Sequence, residues 1–229
     1  MFRRFSAVLI LIAISCSTAS AAGITMSATA SLADLLNGQS LSLGGVTLDN
    51  FGAIETALAN GGTVSPVDPA TVGVLFELTC DRIELTFGDS SGGLGGFIAS
   101  ASNGGTYDYL LNFDVYTPDG ISSASLSQLA GGAGPSFANI TESISFLDLN
   151  GNPTGVGLNT DENFTSDSTL IPGAPAHVSV AKDILLQSFD GSSAQISQFS
   201  QSYYLVPEPS SISLVGVGLL SLLSLRRRR

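Results

Sequence analysis

The stretch AQISQFSQSYYL, residues 194–205, sets Ile196, Phe199 and Tyr203 among serines and glutamines. Branched and aromatic side chains separated by short polar ones suit a pleated, half-buried surface, so this stretch predicts a strand with one face turned inward. The same texture recurs upstream at residues 72–78, 83–87, 97–102, 107–116, 121–129, 136–149 and 178–188. Within 136–149, Ile144, Phe146 and Leu149 recur among serines and Asp148 near a turn at Asp148-Leu149-Asn150-Gly151. Gly, Ser and Asn clusters at 61–62, 90–96, 103–105, 131–135 and 151–157 punctuate these runs as strand connections do. About eight to ten antiparallel strands at this spacing predict an all-β fold, an antiparallel β-sandwich of jelly-roll type. Helical signals are few: Ser31 as a cap for a short turn through Leu32, Leu35 and Leu36, ended by Asn37-Gly38, and a second candidate at 51–59. No stretch supplies the amphipathic crossover helices that a parallel sheet needs.

The 229 residues carry 8 basic and 19 acidic side chains, a formal net charge of −11. That balance excludes nucleic acid as a partner, because affinity for phosphate backbones comes from clustered Lys and Arg. The charge is unevenly placed. Arg3, Arg4, Arg226, Arg227, Arg228 and Arg229 sit at the two ends, leaving only Arg82 and Lys182 as cations between them, against eighteen carboxylates. A body at net −16 is soluble and self-repelling, and suits surroundings rich in divalent cations.

Both ends read as targeting segments. Arg3-Arg4, an apolar run from Ala7 to Ile14 and small residues to Ala22 follow the order of a secretory signal peptide, which assigns residues 1–22 to it. The apolar run is well short of the ~20 residues a spanning helix needs, and Cys16 lacks the preceding Leu common before a lipidated cysteine. At the other end, Val206-Pro207-Glu208-Pro209 precedes Leu, Ile, Val, Gly and Ser alone at 210–225, and then four arginines. At ~1.5 Å per residue such a helix is about 24 Å long and spans a bilayer with local thinning and arginine snorkelling. The arginines hold the cytoplasmic side, placing everything before the helix outside. Pro207 and Pro209 each fix their own φ and push the preceding residue toward extended geometry, leaving 206–209 as a segment a protease cleft can grip.

This tail, VPEP followed by an apolar helix and RRRR, resembles the PEP-CTERM sorting signal of bacterial exported proteins. The resemblance covers residues 206–229. It implies recognition by a membrane-embedded exosortase, cleavage near Pro207, Glu208 and Pro209, retention by Arg226 to Arg229, and delivery of the body to the cell envelope or exopolysaccharide matrix. An uncut C-terminal anchor is the alternative. Residues 178–185 and 195–201 also resemble the closing hairpin of β-rich ectodomains that precede such tails, a likeness that carries no catalytic residues. The organisation is thus a signal peptide, one ectodomain at 23–205 and a sorting tail.

Catalytic signals in the body fail on context. Gly88-Asp89-Ser90-Ser91-Gly92 fits G-x-S-x-G, and His177 follows the serine as in an α/β-hydrolase, but glycines fill the place of the obligatory helix. A Gly-Ser hairpin loop is the better reading. One histidine and one mature cysteine exclude a zinc cluster. Calcium ligands are available in Asp148, Asn150 and Asn152, or in Asp161, Glu162 and Asp167, although Pro153 and Asn159 depart from an EF-hand and turn formation explains the same residues. Cys80 reads as a small buried hydrophobe, with a reactive or intermolecular thiol as the alternative. Asn139 and Asn163 match the glycosylation pattern by chance in a bacterial chain. Tyr107, Tyr109, Tyr116, Tyr203 and Tyr204 are candidate sugar platforms or packing residues, and no Trp is present. The expected function is that of a non-enzymatic surface or matrix protein of structural or adhesive type, without a cofactor. The alternative is a domain that binds or cleaves matrix polysaccharide through a carboxylate pair.

Overall fold

The aromatic stretch at 106–116 shows how the residues choose their structure. In the computed structural model, which describes residues 25–88 and 99–206, it forms a strand in which Tyr107, Tyr109, Leu111, Phe113 and Val115 are all buried while the residues between them face outward. Period-two burial of large apolar groups is available only to a strand covered on one face, and that cover must come from a second sheet. The segment 1–22 read as a signal peptide, the stretch containing Ser90 and Ser91, and the tail with Pro207, Glu208, Pro209, its apolar run and Arg226 to Arg229 lie outside the described residues.

The chain runs β1 (Met26–Ser31), α1 (Leu32–Leu36), β2 (Leu41–Leu43), β3 (Val46–Leu58), β4 (Thr63–Ser65), β5 (Gly73–Leu78), β6 (Arg82–Phe87), β7 (Ala99–Ser102), β8 (Thr106–Tyr116), β9 (Ile121–Ala133), β10 (Ser136–Leu147), β11 (Pro153–Asp161), β12 (Ser166–Leu170), β13 (His177–Ser188) and β14 (Ser193–Leu205). Six strands form one sheet in the order β11-β10-β13-β8-β3-β2. Eight form the other, organised around β14. One edge of β14 is paired along its length with β9, which carries β12; the other is shared between β6, leading to β5 and β1, and β7, leading to β4. Every pairing is antiparallel. The all-β sandwich expected from the sequence is therefore present. It has fourteen strands among the described residues rather than eight to ten.

A β-bulge explains why Ile196, Phe199 and Tyr203 are unevenly spaced. Ala194 and Ile196 are buried, the β9 register then shifts between Ile196 and Gln198, and beyond it Phe199, Gln201, Tyr203 and Leu205 are buried. One extra residue moves the inward face from even to odd positions. Ser197 sits at the shift, and its hydroxyl donates to the Leu129 carbonyl at 3.2 Å.

The core joins the sheets through aromatic rings. Phe51 stacks on Phe113 at 5.2 Å within the six-stranded sheet, Phe113 meets Phe87 at 6.0 Å across the interface, and Phe87 stacks on Phe199 at 4.6 Å. The predicted short helix forms as α1. Ser31 caps it, its hydroxyl accepting from the Asp34 amide at 3.1 Å, and Gly38 supplies the left-handed φ of +91° after Asn37.

Three expectations are corrected. Residues 178–185 and 195–201 do not close a hairpin: they fall in β13 and β14, which belong to different sheets. Residues 51–59 form no helix: Gly52 to Leu58 of β3 pair one-to-one with Asn112 back to Thr106 of β8, after an irregularity in which Asn50 adopts φ +54°. Pairing with β8 satisfies the backbone there and overrides a weak helical preference. Cys80 is not buried but exposed, because it lies in the tight turn joining β5 and β6.

Removing a ring from the aromatic spine tests this account. Phe113→Ala is expected to lower unfolding stability by about 3–5 kcal/mol in chemical denaturation, with little change in denaturant slope.

Candidate functional site on the outer face of the eight-stranded sheet

Because Phe199, Gln201 and Tyr203 point inward, the alternating positions Ser200, Ser202 and Tyr204 fall on the opposite face, Ser202 being covered there, and the registers carry this alternation across four strands. Arg82, Tyr204, Ser123 and Leu170 make one transverse row. Glu84, Ser202, Ser125 and Ser168 make the next, followed by Thr86, Ser200, Ser127 and Ser166. The result is a sheet face covered mainly by hydroxyls on short side chains. Thr86 and Ser200 hydrogen-bond at 3.1 Å, Ser122 donates to the Tyr204 carbonyl at 3.0 Å, and Arg82 pairs with Glu84 at 3.0 Å.

At one end of this face lies a shallow groove of about 300 Å³ lined by Ser123, Ser125, Ser168, Thr169, Leu170 and Tyr204. Hydroxyls donate and accept in turn, and the Tyr204 side chain, 39% exposed, adds an aromatic surface. The groove's lining contains no carboxylate, histidine or lysine to move a proton. It can hold a hydroxyl-bearing chain by hydrogen bonds and ring contact. Of the five tyrosines singled out by sequence, Tyr107, Tyr109 and Tyr203 are buried and belong to packing. The serine rows are the part sequence reasoning missed; their signal is the alternation in SSASLS at 122–127 and SDS at 166–168.

The outer face of the six-stranded sheet is built differently. His177 and Tyr116, paired across β13 and β8, stack in parallel at 4.2 Å, and His177 Nε2 lies 3.4 Å from Asp114 Oδ1. Asn50 Nδ2 donates to Asp114 Oδ2 at 2.7 Å. The lone histidine is thus held by a carboxylate and a ring, while Ser90 and Ser91 fall outside the described residues. Desolvation alone would raise the Asp114 pKa, but hydrogen bonds from Ser179, Asn50 and His177, with the charge of His177, outweigh it and hold the carboxyl below its usual value.

The proposed calcium ligands are used in turns. Asp148 Oδ1 accepts from the amides of Asn150 and Asn152, both at 2.8 Å, and Asp161 Oδ1 accepts from those of Asn163 and Phe164, both at 2.7 Å. Asp167 Oδ2 takes the Asn159 amide at 2.9 Å. Among the described residues no group of three or more His, Cys, Asp or Glu is placed to hold a metal ion. Asn139 is likewise committed, donating to Asn159 Oδ1 at 2.6 Å and to the Thr160 carbonyl at 2.9 Å.

Within the sandwich lies a polar cluster that the sequence did not announce. Lys182 of β13 is fully buried and donates to the carboxylate of Glu142, its cross-strand neighbour in β10, and to Gln201 Oε1 of β14 at 2.7 Å. The Phe199 ring lies 5.8 Å from the ammonium.

The body is a two-sheet antiparallel β-sandwich with a hydroxyl-rich outer face. The tail is specific: residues 205–229 match the family described as the PEP-CTERM protein-sorting motif, so the chain carries that sorting signal, which implies export and exosortase processing. Among the described residues no helix is long and apolar enough to cross a membrane; the apolar run at 210–225 lies beyond them. No curated protein matches the chain in sequence. Solved structures similar to it include TmCBM61 in complex with β-1,4-galactotriose, at 15% identity and TM-score 0.28, covering 52% of this chain and 80% of that one. Another is the family 11 carbohydrate-binding module from Clostridium thermocellum with a mixed-linked tetrasaccharide, at 10% identity and TM-score 0.23, covering 74% and 96%. A third is the Clostridium thermocellum xylanase 10B module pair with xylohexaose, at 14% and 0.25, covering 65% and 24%. Superpositions this loose transfer no ligand to this chain.

The Asp114 contacts carry a pH signature. A carboxyl whose folded pKa lies below its unfolded value stabilises the protein above that unfolded value, and the contribution is lost as pH falls through the folded one. Asp114→Asn is therefore expected to flatten the fall in stability below about pH 4, read by denaturant unfolding across pH.

Proposed function

We propose that this is an exported, non-enzymatic protein of the cell surface or exopolysaccharide matrix, with a structural or adhesive role exercised by holding polysaccharide in the Tyr204 groove. The observation that carries the reading is the groove itself: hydroxyls from Ser123, Ser125 and Ser168 beside an exposed aromatic ring, with no carboxylate, histidine or lysine in the lining. Extended sugar chains offer hydroxyls for the serines and apolar faces for the ring. Export brings the body to such chains, and its acidic surface keeps it dispersed among them.

Cleavage of glycosides receives less support. On the outer face of the six-stranded sheet, burial followed by repulsion from nearby Asp108 raises the Asp183 pKa. Glycosidase carboxylates stand apart, at roughly 5 Å or 6.5–9.5 Å, to admit the sugar or a water between them.

Two experiments test the reading. Tyr204→Ala is expected to weaken retention by native matrix polysaccharide in affinity electrophoresis by roughly fivefold, the equivalent of about 1 kcal/mol of ring contact. Unchanged retention removes the groove from the function. Replacing Pro207, Glu208 and Pro209 with alanine is expected to leave a larger, membrane-retained form on immunoblots of fractionated cells, and unchanged processing defeats the exosortase assignment.

A further inference from the structure

Lys182, Glu142 and Gln201 are an expensive choice for a core. Lys182 and Gln201 are fully buried and Glu142 is 1% exposed. The aliphatic stem of a lysine usually lets its ammonium reach water, yet this one turns inward between the two sheets. Replacing such a pair with apolar residues is often neutral or stabilising, so ion pairing alone accounts poorly for it. The pairing is also incomplete: Glu142 Oε1 and Gln201 Nε2 have no hydrogen-bond partner. Unpartnered polar atoms at such depth cost more than the bonds formed beside them return.

The three groups nevertheless suit one another as reactants. Burial drives the Lys182 pKa well below that of a free lysine, which favours the nucleophilic amine. Nζ lies 2.7 Å from the carbonyl oxygen of a primary amide, and a carboxyl group contacts the same nitrogen. Water, which would compete for the carbonyl, is excluded at this depth.

We propose that Lys182 and Gln201 condense within the folded protein into an isopeptide bond joining β13 to β14, with Glu142 carrying the protons. In the dry core the ammonium passes one proton to Glu142. The Nζ lone pair attacks Gln201 Cδ, forming the Nζ–Cδ bond. Glu142 transfers a proton from Nζ to Nε2, and the Cδ–Nε2 bond breaks with its electron pair retained by nitrogen. Ammonia leaves, the new amide nitrogen keeps one proton and Glu142 ends protonated. No oxidant or reductant is consumed. The unpartnered Nε2 departs, the charge pair is replaced by neutral groups, and protonated Glu142 becomes able to donate to the new amide oxygen. A reaction among three groups already in place needs no enzyme and no entry path.

Mass spectrometry of the full chain tests the proposal, with chymotryptic peptides reading residues 182 and 201 whatever the processing of the ends. The expected result is a joined peptide pair containing Lys182 and Gln201, lighter than the sum of its parts by one ammonia and intact after boiling in detergent and reductant. Glu142→Gln is expected to abolish the joined pair, with circular dichroism checking that the variant retains its strands. Separate, full-mass peptides from the wild-type chain overturn the proposal, as does loss of one water with Lys182 joined to Glu142. Undiminished joining in a folded Glu142→Gln variant overturns the proton-carrying role. The wild-type measurement decides the existence of the bond even if every variant fails to fold.

Discussion

The placement of β14 constrains the rest of the larger sheet. It is the common neighbour of β9, β6 and β7, so the two short branches on its far edge, β6-β5-β1 and β7-β4, share one sheet only because it runs past both. Its inward residues Phe199 and Gln201 meet the opposite sheet through the aromatic spine and the Lys182 contacts. The bulge at Ser197 is what allows one strand to serve both branches with its apolar residues on the same side. Without that extra residue, the second half of β14 would turn its hydroxyls into the core and its rings into solvent.

Alternation made the long central strands readable. In β8 and β13 the buried residues are the apolar ones at every second position, Lys182 and Ser188 excepted, and their limits in the sequence fall within a residue of the structure. Short or glycine-bearing strands carried no such signal. β11 contains Gly155 and Gly157, read in sequence as loop punctuation; it forms because β10 offers a complete ladder to pair with. β12 alternates serine with other residues and buries little, so its existence depends on β9. Residues 51–58 were ambiguous for the same reason: local preference was weak and a distant strand decided.

The candidate site was less legible than the fold. A serine-rich strand looks alike whether its serines face water alone or line a groove with an aromatic ring, and only the registers of β14, β9 and β12 bring Tyr204, Ser123 and Leu170 into one row. Composition marks Lys182 only as one of two cations in an acidic body; its inward position follows from its even-numbered place between Val180 and Ile184. Glu142, between the inward-facing Ile140 and Ile144, carries the same signal. A charged residue in phase with the buried positions of a strand is thus informative about chemistry in a way that composition is not.

The exit of the chain from the sandwich has a mechanical consequence. β14 ends at Leu205, where the sorting motif begins, and the last residues are clasped from two sides: Leu205 donates to the Asp81 carbonyl at 2.8 Å and Val206 to the Gly120 carbonyl at 3.1 Å. Tension applied through the tail enters the body along the axis of an interior strand flanked on both edges. Antiparallel ladders run perpendicular to that axis, so the pull loads many backbone bonds together in shear instead of opening them one by one as it would at a free edge. A body tethered by this end in moving fluid resists extraction of its last strand collectively, with the load spread from β14 into β9 and β6.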